Sequence, residues 1–196
     1  RANLVFPELL AAMKESGCFQ VGFGVESGND DVIAAMKKGV NKKGIIAASN
    51  IFKKENMEFG AYFIFGHPCE NIKTVFDSIK LAAKLNATIT AFGIMVPYPG
   101  TEIWEMARNG EGCYNEVSED WDDYNKQVGN AVSLKTISRR QLELMQLSGY
   151  LYVYIRNGRF GDLVHALMDN WKRARFIILK ILTPTIKQDG IAKRFT

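Results

Sequence analysis

A parallel α/β fold is what the sequence predicts, and three observations carry that prediction. From Gln20 to Arg108, a short apolar run, a polar or glycine-rich turn and a helix of period near 3.6 follow one another three times. The runs lack polar alternation, as strands covered on both faces do, and the helices between them are the crossovers that parallel pairing requires. Parallel sheets and barrels bind ligands at the carboxyl ends of their strands, so the three strand ends are where chemistry is to be sought.

The elements follow in order. Pro7-Glu8-Leu9-Leu10-Ala11-Ala12-Met13-Lys14 reads as a helix opened by proline. The first run, Val21 to Val25, ends in Glu26-Ser27-Gly28-Asn29; the helix from Asp30 places Val32, Ile33 and Met36 on one face and stops at Gly39. A second helix starts after Asn41, carries Ile45, Ile46, Ser49 and Phe52, and ends in lysines that suit the negative end of its dipole. The second run, Phe59 to Phe65, meets Gly66-His67-Pro68-Cys69-Glu70 and then a helix with Ile72, Val75, Phe76, Ile79, Ala82 and Ala83 on one stripe. The third run, Ile89 to Val96, meets Pro97-Tyr98-Pro99-Gly100-Thr101 and a helix bearing Ile103, Trp104, Met106 and Ala107. Past Asn109-Gly110 a loop-rich stretch runs to Leu134. Ser138 and Gln141 then form a capping box opening a helix with Leu142, Met145, Tyr150 and Tyr154, and a further helix after Asn157-Gly158 runs to about Leu182 before Thr183-Pro184. The chain divides into residues 1–110, the strand–helix units, and 111–196, an extension.

Composition excludes several classes. The excess of 25 Lys+Arg over 21 Asp+Glu, a net charge of +4, is too small to indicate a nucleic-acid partner. No uncharged apolar run reaches the ~18 residues of a membrane span, and the start at Arg1 has no signal-peptide pattern. Cys18, Cys69 and Cys113 lie far apart, suggesting neither a disulfide framework nor a CxxC-type metal site, and a reducing cytoplasm is expected. The first helix begins almost at once and no initiator Met is present, so a fragment of a longer chain is expected. His67 and His165, the only histidines, lack a second ligand at metal spacing and are expected to hold no metal. Cys69 is expected to be a small buried hydrophobe. The basic and apolar segment 171–182 reads as a core-packing or subunit-contact helix, with membrane-surface contact as the alternative.

Gly24-Val25-Glu26-Ser27-Gly28-Asn29-Asp30, Phe65-Gly66-His67-Pro68-Cys69-Glu70 and Val96-Pro97-Tyr98-Pro99-Gly100-Thr101-Glu102 resemble, in this order and at similar separations, the last three strand ends of radical S-adenosylmethionine (radical SAM) barrels. The resemblance is to the branch that often carries an upstream cobalamin-binding domain, including the anaerobic magnesium-protoporphyrin ester cyclases and cobalamin-dependent methylases. It extends over Ala2 to Arg108. It implies the C-terminal half of a (β/α)6 partial TIM-type barrel, followed by a mainly helical extension. It implies reductive cleavage of S-adenosylmethionine by a [4Fe–4S] cluster, giving a 5′-deoxyadenosyl radical that abstracts hydrogen from an unreactive carbon. Methyl transfer to, or oxidative cyclisation of, a small-molecule, lipid or tetrapyrrole-like substrate would follow, with cobalamin reached through an upstream domain. The cluster needs a CxxxCxxC loop that this sequence lacks. The resemblance places that loop upstream of Arg1, in the N-terminal half of the barrel, so this chain alone is expected to be inactive.

The same resemblance assigns site residues. Glu26 and Ser27 would lie near the ribose and methionyl parts of S-adenosylmethionine. A buried carboxylate is costly unless hydrogen-bonded, and a ribose diol or an ammonium would serve; capping the next helix or pairing with a lysine is the alternative. Ile64, Gly66, Pro68 and Glu70 keep the frame that packs beside adenine in the family, whose usual pattern is glycine, an apolar residue, proline, glycine and glutamate. His67 and Cys69 depart from it. Glu70 has a structural alternative as a first-turn carboxylate favouring the helix dipole. Val96, Pro97 and Tyr98 would give adenine an apolar surface and a backbone edge. No catalytic residue and no metal ligand is assigned. Two other readings share the pattern: a different (β/α)-barrel enzyme, which would want a strand-end Schiff-base lysine or a glycine-rich phosphate loop, neither of which is found, and a non-catalytic half-barrel binding or scaffold module.

Overall fold

Successive residues of a strand face opposite sides of its sheet, and in the computed structural model of the chain the bulky ones fall on one side. The structure describes residues 1–124 and 131–169. Strands β1 (Gln20–Glu26), β2 (Glu58–Phe65) and β3 (Ile89–Ile94) pair in parallel in the order β1-β2-β3, a three-stranded (β/α) sheet. Phe23, Val25, Phe59, Ala61, Phe63, Phe65, Phe92 and Ile94 are buried. The opposite face carries Gly22, Gly24, Gly60 and Tyr62, with the Tyr62 ring lying over Gly22 and Gly60. Gly22, Gly24 and Tyr62 are exposed, which corrects the expectation that both faces are covered. The physical reason lies in glycine: it lengthens an apolar run without supplying a side chain to bury.

Helices cover the phenylalanine face. Helix α1 (Pro7–Glu15) opens on its proline, and α2 (Asp30–Ala35) is capped by Asn29. Helix α3 (Lys42–Lys54) sets Phe52 against Phe23 and Phe59, with ring centroids 5.9 and 5.2 Å apart. Helix α4 (Ile72–Leu85), opened by an Asn71–Thr74 capping box, buries Val75, Ile79, Leu81, Ala82, Ala83 and Leu85. Ile72 and Phe76 of the predicted stripe are exposed, because the covered arc is centred on Val75, Ile79 and Ala82. Helix α5 (Glu102–Arg108) follows β3, capped by Thr101.

In the stretch expected to be loop-rich, β4 (Tyr114–Val117) and β5 (Val132–Leu134) form an antiparallel ribbon. Helix α6 (Arg139–Arg156) opens on the predicted Ser138–Gln141 capping box and lies against the outer edge of β3. There the Gln146 amide donates to the Phe92 carbonyl, and the Phe92 N–H donates to the Tyr150 hydroxyl oxygen at 3.1 Å. Side chains thus occupy backbone groups that an edge strand would otherwise leave open. Residues 1–159 form one compact unit. Of the second, from Phe160 onward, α7 (Phe160–Asp169) is described, with Phe160, Val164 and Met168 exposed on one stripe. Segment 171–182, and with it the membrane-surface alternative, lies outside the described residues. Among those described, no helix is long and apolar enough to cross a membrane.

Gln146→Leu is expected to cost about 1–3 kcal/mol, because it strands the buried Phe92 carbonyl without a donor. Urea denaturation measures it, and an unchanged midpoint would mean that water takes the place of the amide.

Candidate functional site

Parallel pairing carries the three strand ends to one edge of the sheet. Ile64 pairs with Gly93 and Phe65 with Ile94, and the ladder runs on through the Met95 N–H, which donates to the Phe65 carbonyl at 2.7 Å. Between β1 and β2 the register slips at Gly24/Glu26, setting Glu26 opposite Phe63. Glu26 itself has φ +67°, a left-handed conformation that a non-glycine residue keeps only when its surroundings hold it there. Its carboxylate turns back over Gly24, where Oε1 pairs with Lys38 from the loop after α2. The structure therefore contains the lysine pair foreseen as the alternative role of Glu26.

Ser27 is fully buried. Its hydroxyl pairs with that of Ser78 in α4 at 3.2 Å and accepts from the Asn29 N–H, while the Gly28 N–H donates to the Ser78 hydroxyl at 2.8 Å. A Cβ at Gly28 would strike the Asp77 backbone, so only glycine lets β1 end so close to α4. Ser27 acts as a joint between strand and helix.

The β2 end is a knot of hydrogen bonds. Gly66, at φ +93°, and His67 both donate their N–H to Glu70 Oε2, at 2.7 and 3.2 Å. The Tyr114 hydroxyl donates to the Gly66 carbonyl at 2.9 Å, and the Thr136 hydroxyl donates to the Glu70 carbonyl. The Cys69 N–H donates to Gly112 at 2.8 Å, and Cys69 is disulfide-bonded to Cys113, with Cα atoms 4.8 Å apart. Two expectations are corrected here. Glu70 precedes the N-cap Asn71 and is wholly buried, so it ties the turn together rather than serving the helix dipole. Cys69 is exposed and paired rather than a buried hydrophobe, and wide spacing in sequence did not preclude a disulfide, because β4 folds back over this turn.

Burial controls the charges in this turn. Desolvation pushes Glu70 up to about 7 against the pull of its two N–H donors, and desolvation together with Lys38 pushes His67 down to about 4. His67 is 4% exposed, yet neither ring nitrogen has a partner, nor does Glu70 Oε1. Burial and the neighbouring Glu70 also raise the Tyr114 phenol.

At the third strand end Val96 and Pro97 are buried, whereas Tyr98 is half-exposed with its ring 6.0 Å from that of Tyr124. Ile64 is half-buried and Pro68 likewise. The sheet thus gathers Glu26, the Ile64–Glu70 turn and Val96-Pro97 on one edge, while Ser27 turns toward α4. The roles of Tyr114, Thr136 and Cys113 are not marked in the sequence, since nothing local to them indicates partners 48, 66 and 44 residues away, and the lysine expected for Glu26 is identified as Lys38 only by the fold.

The unpartnered polar atoms of His67 and Glu70, in a turn shared with Pro68, fit the uncharged polar edge of a nucleoside. An iron–sulfur cluster does not fit this chain's own donors. Cys69 and Cys113 bind each other, Cys18 precedes β1 at the opposite end of the strands, and among the described residues no three His, Cys, Asp or Glu are grouped to hold a metal.

The two displaced pKa values act oppositely on stability. Glu70 titrates above its ordinary 4.5, so the stability it contributes is full below that pH and is lost as pH rises toward 7. His67 titrates below its ordinary 6.5, so its contribution is full above that pH and is lost as pH falls toward 4. Glu70→Gln should therefore leave a stability that rises with pH between 4 and 6.5, and His67→Leu one that falls between 4.5 and 7, each by up to about 1.4 kcal/mol per pH unit. Urea denaturation across this pH range checks both slopes.

A family model described as the Radical SAM superfamily matches residues 1–82. An uncharacterized methyltransferase of Pyrococcus horikoshii is 31% identical over 156 residues, covering 80% of this chain and 33% of its own length. The bacteriochlorophyllide d C-12(1)-methyltransferase of Chlorobaculum tepidum is 25% identical over 154 residues, covering 74% of this chain and 33% of its own length. Among solved structures, coproporphyrinogen III oxidase from Escherichia coli, described as a radical SAM enzyme, aligns with a TM-score of 0.45 at 15% identity over 61% of this chain and 32% of its own. The chain spans about a third of the length of the curated relatives it matches. The family model lies over β1, β2 and most of α4, the elements that carry Glu26, His67 and Glu70, and by it residues 1–82 of this chain belong to the radical SAM superfamily.

Proposed function

We propose that this chain supplies the S-adenosylmethionine-binding strand ends of a radical SAM enzyme whose cluster-bearing strands lie in sequence outside these 196 residues. One observation carries the reading: the superfamily match coincides with a strand register that sets Glu26 and the Ile64–Glu70 turn side by side. Membership brings S-adenosylmethionine and a [4Fe–4S] cluster, and reductive cleavage of the one by the other supplies the radical chemistry. This chain's residues bind and shield. With Lys38 on Oε1, Glu26 offers Oε2 to a ribose hydroxyl, and Ser27 anchors the strand end from which Glu26 projects. Ile64, Gly66 and Pro68 flank the adenine, in a turn that Glu70 holds rigid. Val96 and Pro97 form an apolar wall that excludes water, with Tyr98 at the mouth.

The reaction proposed is methyl transfer to, or oxidative cyclisation of, a small-molecule, lipid or tetrapyrrole-like substrate, in the cytoplasm. Methyltransferases among the relatives support the first outcome. A cobalamin domain upstream rests on resemblance to the branch alone. The chain by itself is inactive in this reading, for want of cluster ligands.

In the enzyme with its full barrel, Glu26→Ala should weaken S-adenosylmethionine binding about ten- to hundredfold, the loss of a charge-assisted hydrogen bond worth roughly 1.5–3 kcal/mol. Calorimetric titration with thermal melts alongside tests it; unchanged affinity with a lowered melting point would return Glu26 to a structural role. This chain alone, given iron and sulfide anaerobically, should develop no stoichiometric [4Fe–4S] absorption. One intact cluster per chain, abolished by replacing Cys18, Cys69 or Cys113, would contradict the proposal.

A further inference from the structure

Every backbone polar group named in the β2 turn has a partner: the Gly66 and His67 N–H groups on Glu70, the Gly66 carbonyl on Tyr114, the Glu70 carbonyl on Thr136, and the Cys69 N–H on Gly112. Against that saturation the His67 ring stands out, enclosed yet bonded at neither Nδ1 nor Nε2. A polar group so buried is a standing cost unless something else meets it. Burial and Lys38 keep the ring neutral, with one N–H donor and one acceptor nitrogen. A neutral imidazole carries no charge with which to hold the sulfonium, ammonium or carboxylate of S-adenosylmethionine. What remains is the uncharged edge of the purine, whose flat face suits the apolar Ile64 and Pro68 on either side of Gly66-His67.

Resting on the function proposed above, we infer that His67 is an adenine-recognition residue, its acceptor nitrogen taking a hydrogen bond from the 6-amino group of the bound nucleoside. The family's usual residue at this position is apolar and could not make that bond, so the contact would be particular to chains with histidine here.

The test pairs a change in the ligand with a change in the protein, using the cluster-loaded, full-barrel enzyme and two probes: S-adenosylhomocysteine and its analogue lacking the purine 6-amino group. Wild-type enzyme should bind the analogue about five- to tenfold more weakly. His67→Leu should weaken S-adenosylhomocysteine by a similar factor and lose most of the discrimination, since the two deletions remove the same bond. Equal binding of both probes to wild-type enzyme overturns the inference without recourse to any variant. So does undiminished discrimination in His67→Leu, with a melting curve confirming that the variant is folded. Failure of wild-type enzyme to bind either probe defeats the proposed function itself, and this inference with it.

Discussion

Glu70 Oε2, accepting the N–H groups of Gly66 and His67, is the contact about which the strand-end region is organised. Where β2 ends, these two donors leave the sheet ladder in a place without water, and each would be costly alone. A carboxylate three and four residues on satisfies both with one oxygen and curls the chain toward α4. The neighbouring carbonyls of Gly66 and Glu70 are then met by Tyr114 and Thr136, residues of the extension. The extension is therefore no appendage; it supplies half of the hydrogen bonds that shape the turn. The Cys69–Cys113 disulfide closes the same loop covalently, and in the chain-entropy account a loop of 44 residues gives about 4 kcal/mol of stabilisation.

Charge in this region is balanced by burial as much as by pairing. Glu26 has Lys38, but among the described residues no counter-ion meets His67 or Glu70, and burial drives both toward their neutral forms instead. The result is a strand-end edge with one ion pair at β1 and, at β2, a turn whose histidine is neutral and whose carboxyl is about half-ionised at neutral pH. Such an edge suits a ligand with a hydroxyl-rich middle and an uncharged heteroaromatic end, the two features that S-adenosylmethionine presents away from its methionyl group.

The sheet is finished on one side and open on the other. At β3, Gln146 and Tyr150 of α6 take up the backbone of Phe92, and the Phe92 ring stacks tilted against Phe63 and Phe65 and edge-on to Tyr150. At β1, no strand among the described residues pairs with the outer edge, and the glycine face beside it is uncovered. Both features accord with the proposal that further strands complete a barrel around that face.

Much of this was legible in the sequence because it is local. Helix starts announce themselves through Pro7, Asn41 and the Ser138–Gln141 box, and three apolar runs separated by amphipathic helices require parallel strands whatever else the chain does. The strand-end motifs fell on one edge for the same reason. What the sequence alone could not determine was which polar and sulfur atoms meet: that Glu70 turns inward before its helix, that Lys38 finds Glu26, that Tyr114 reaches Gly66, or that Cys69 pairs with Cys113. Nor could apolar runs rich in glycine tell a covered face from an open one. Local propensity and periodicity determine the elements and their order, whereas the partners of a buried polar atom are chosen by the tertiary fold, which decides what stands within 3 Å of it once water has gone.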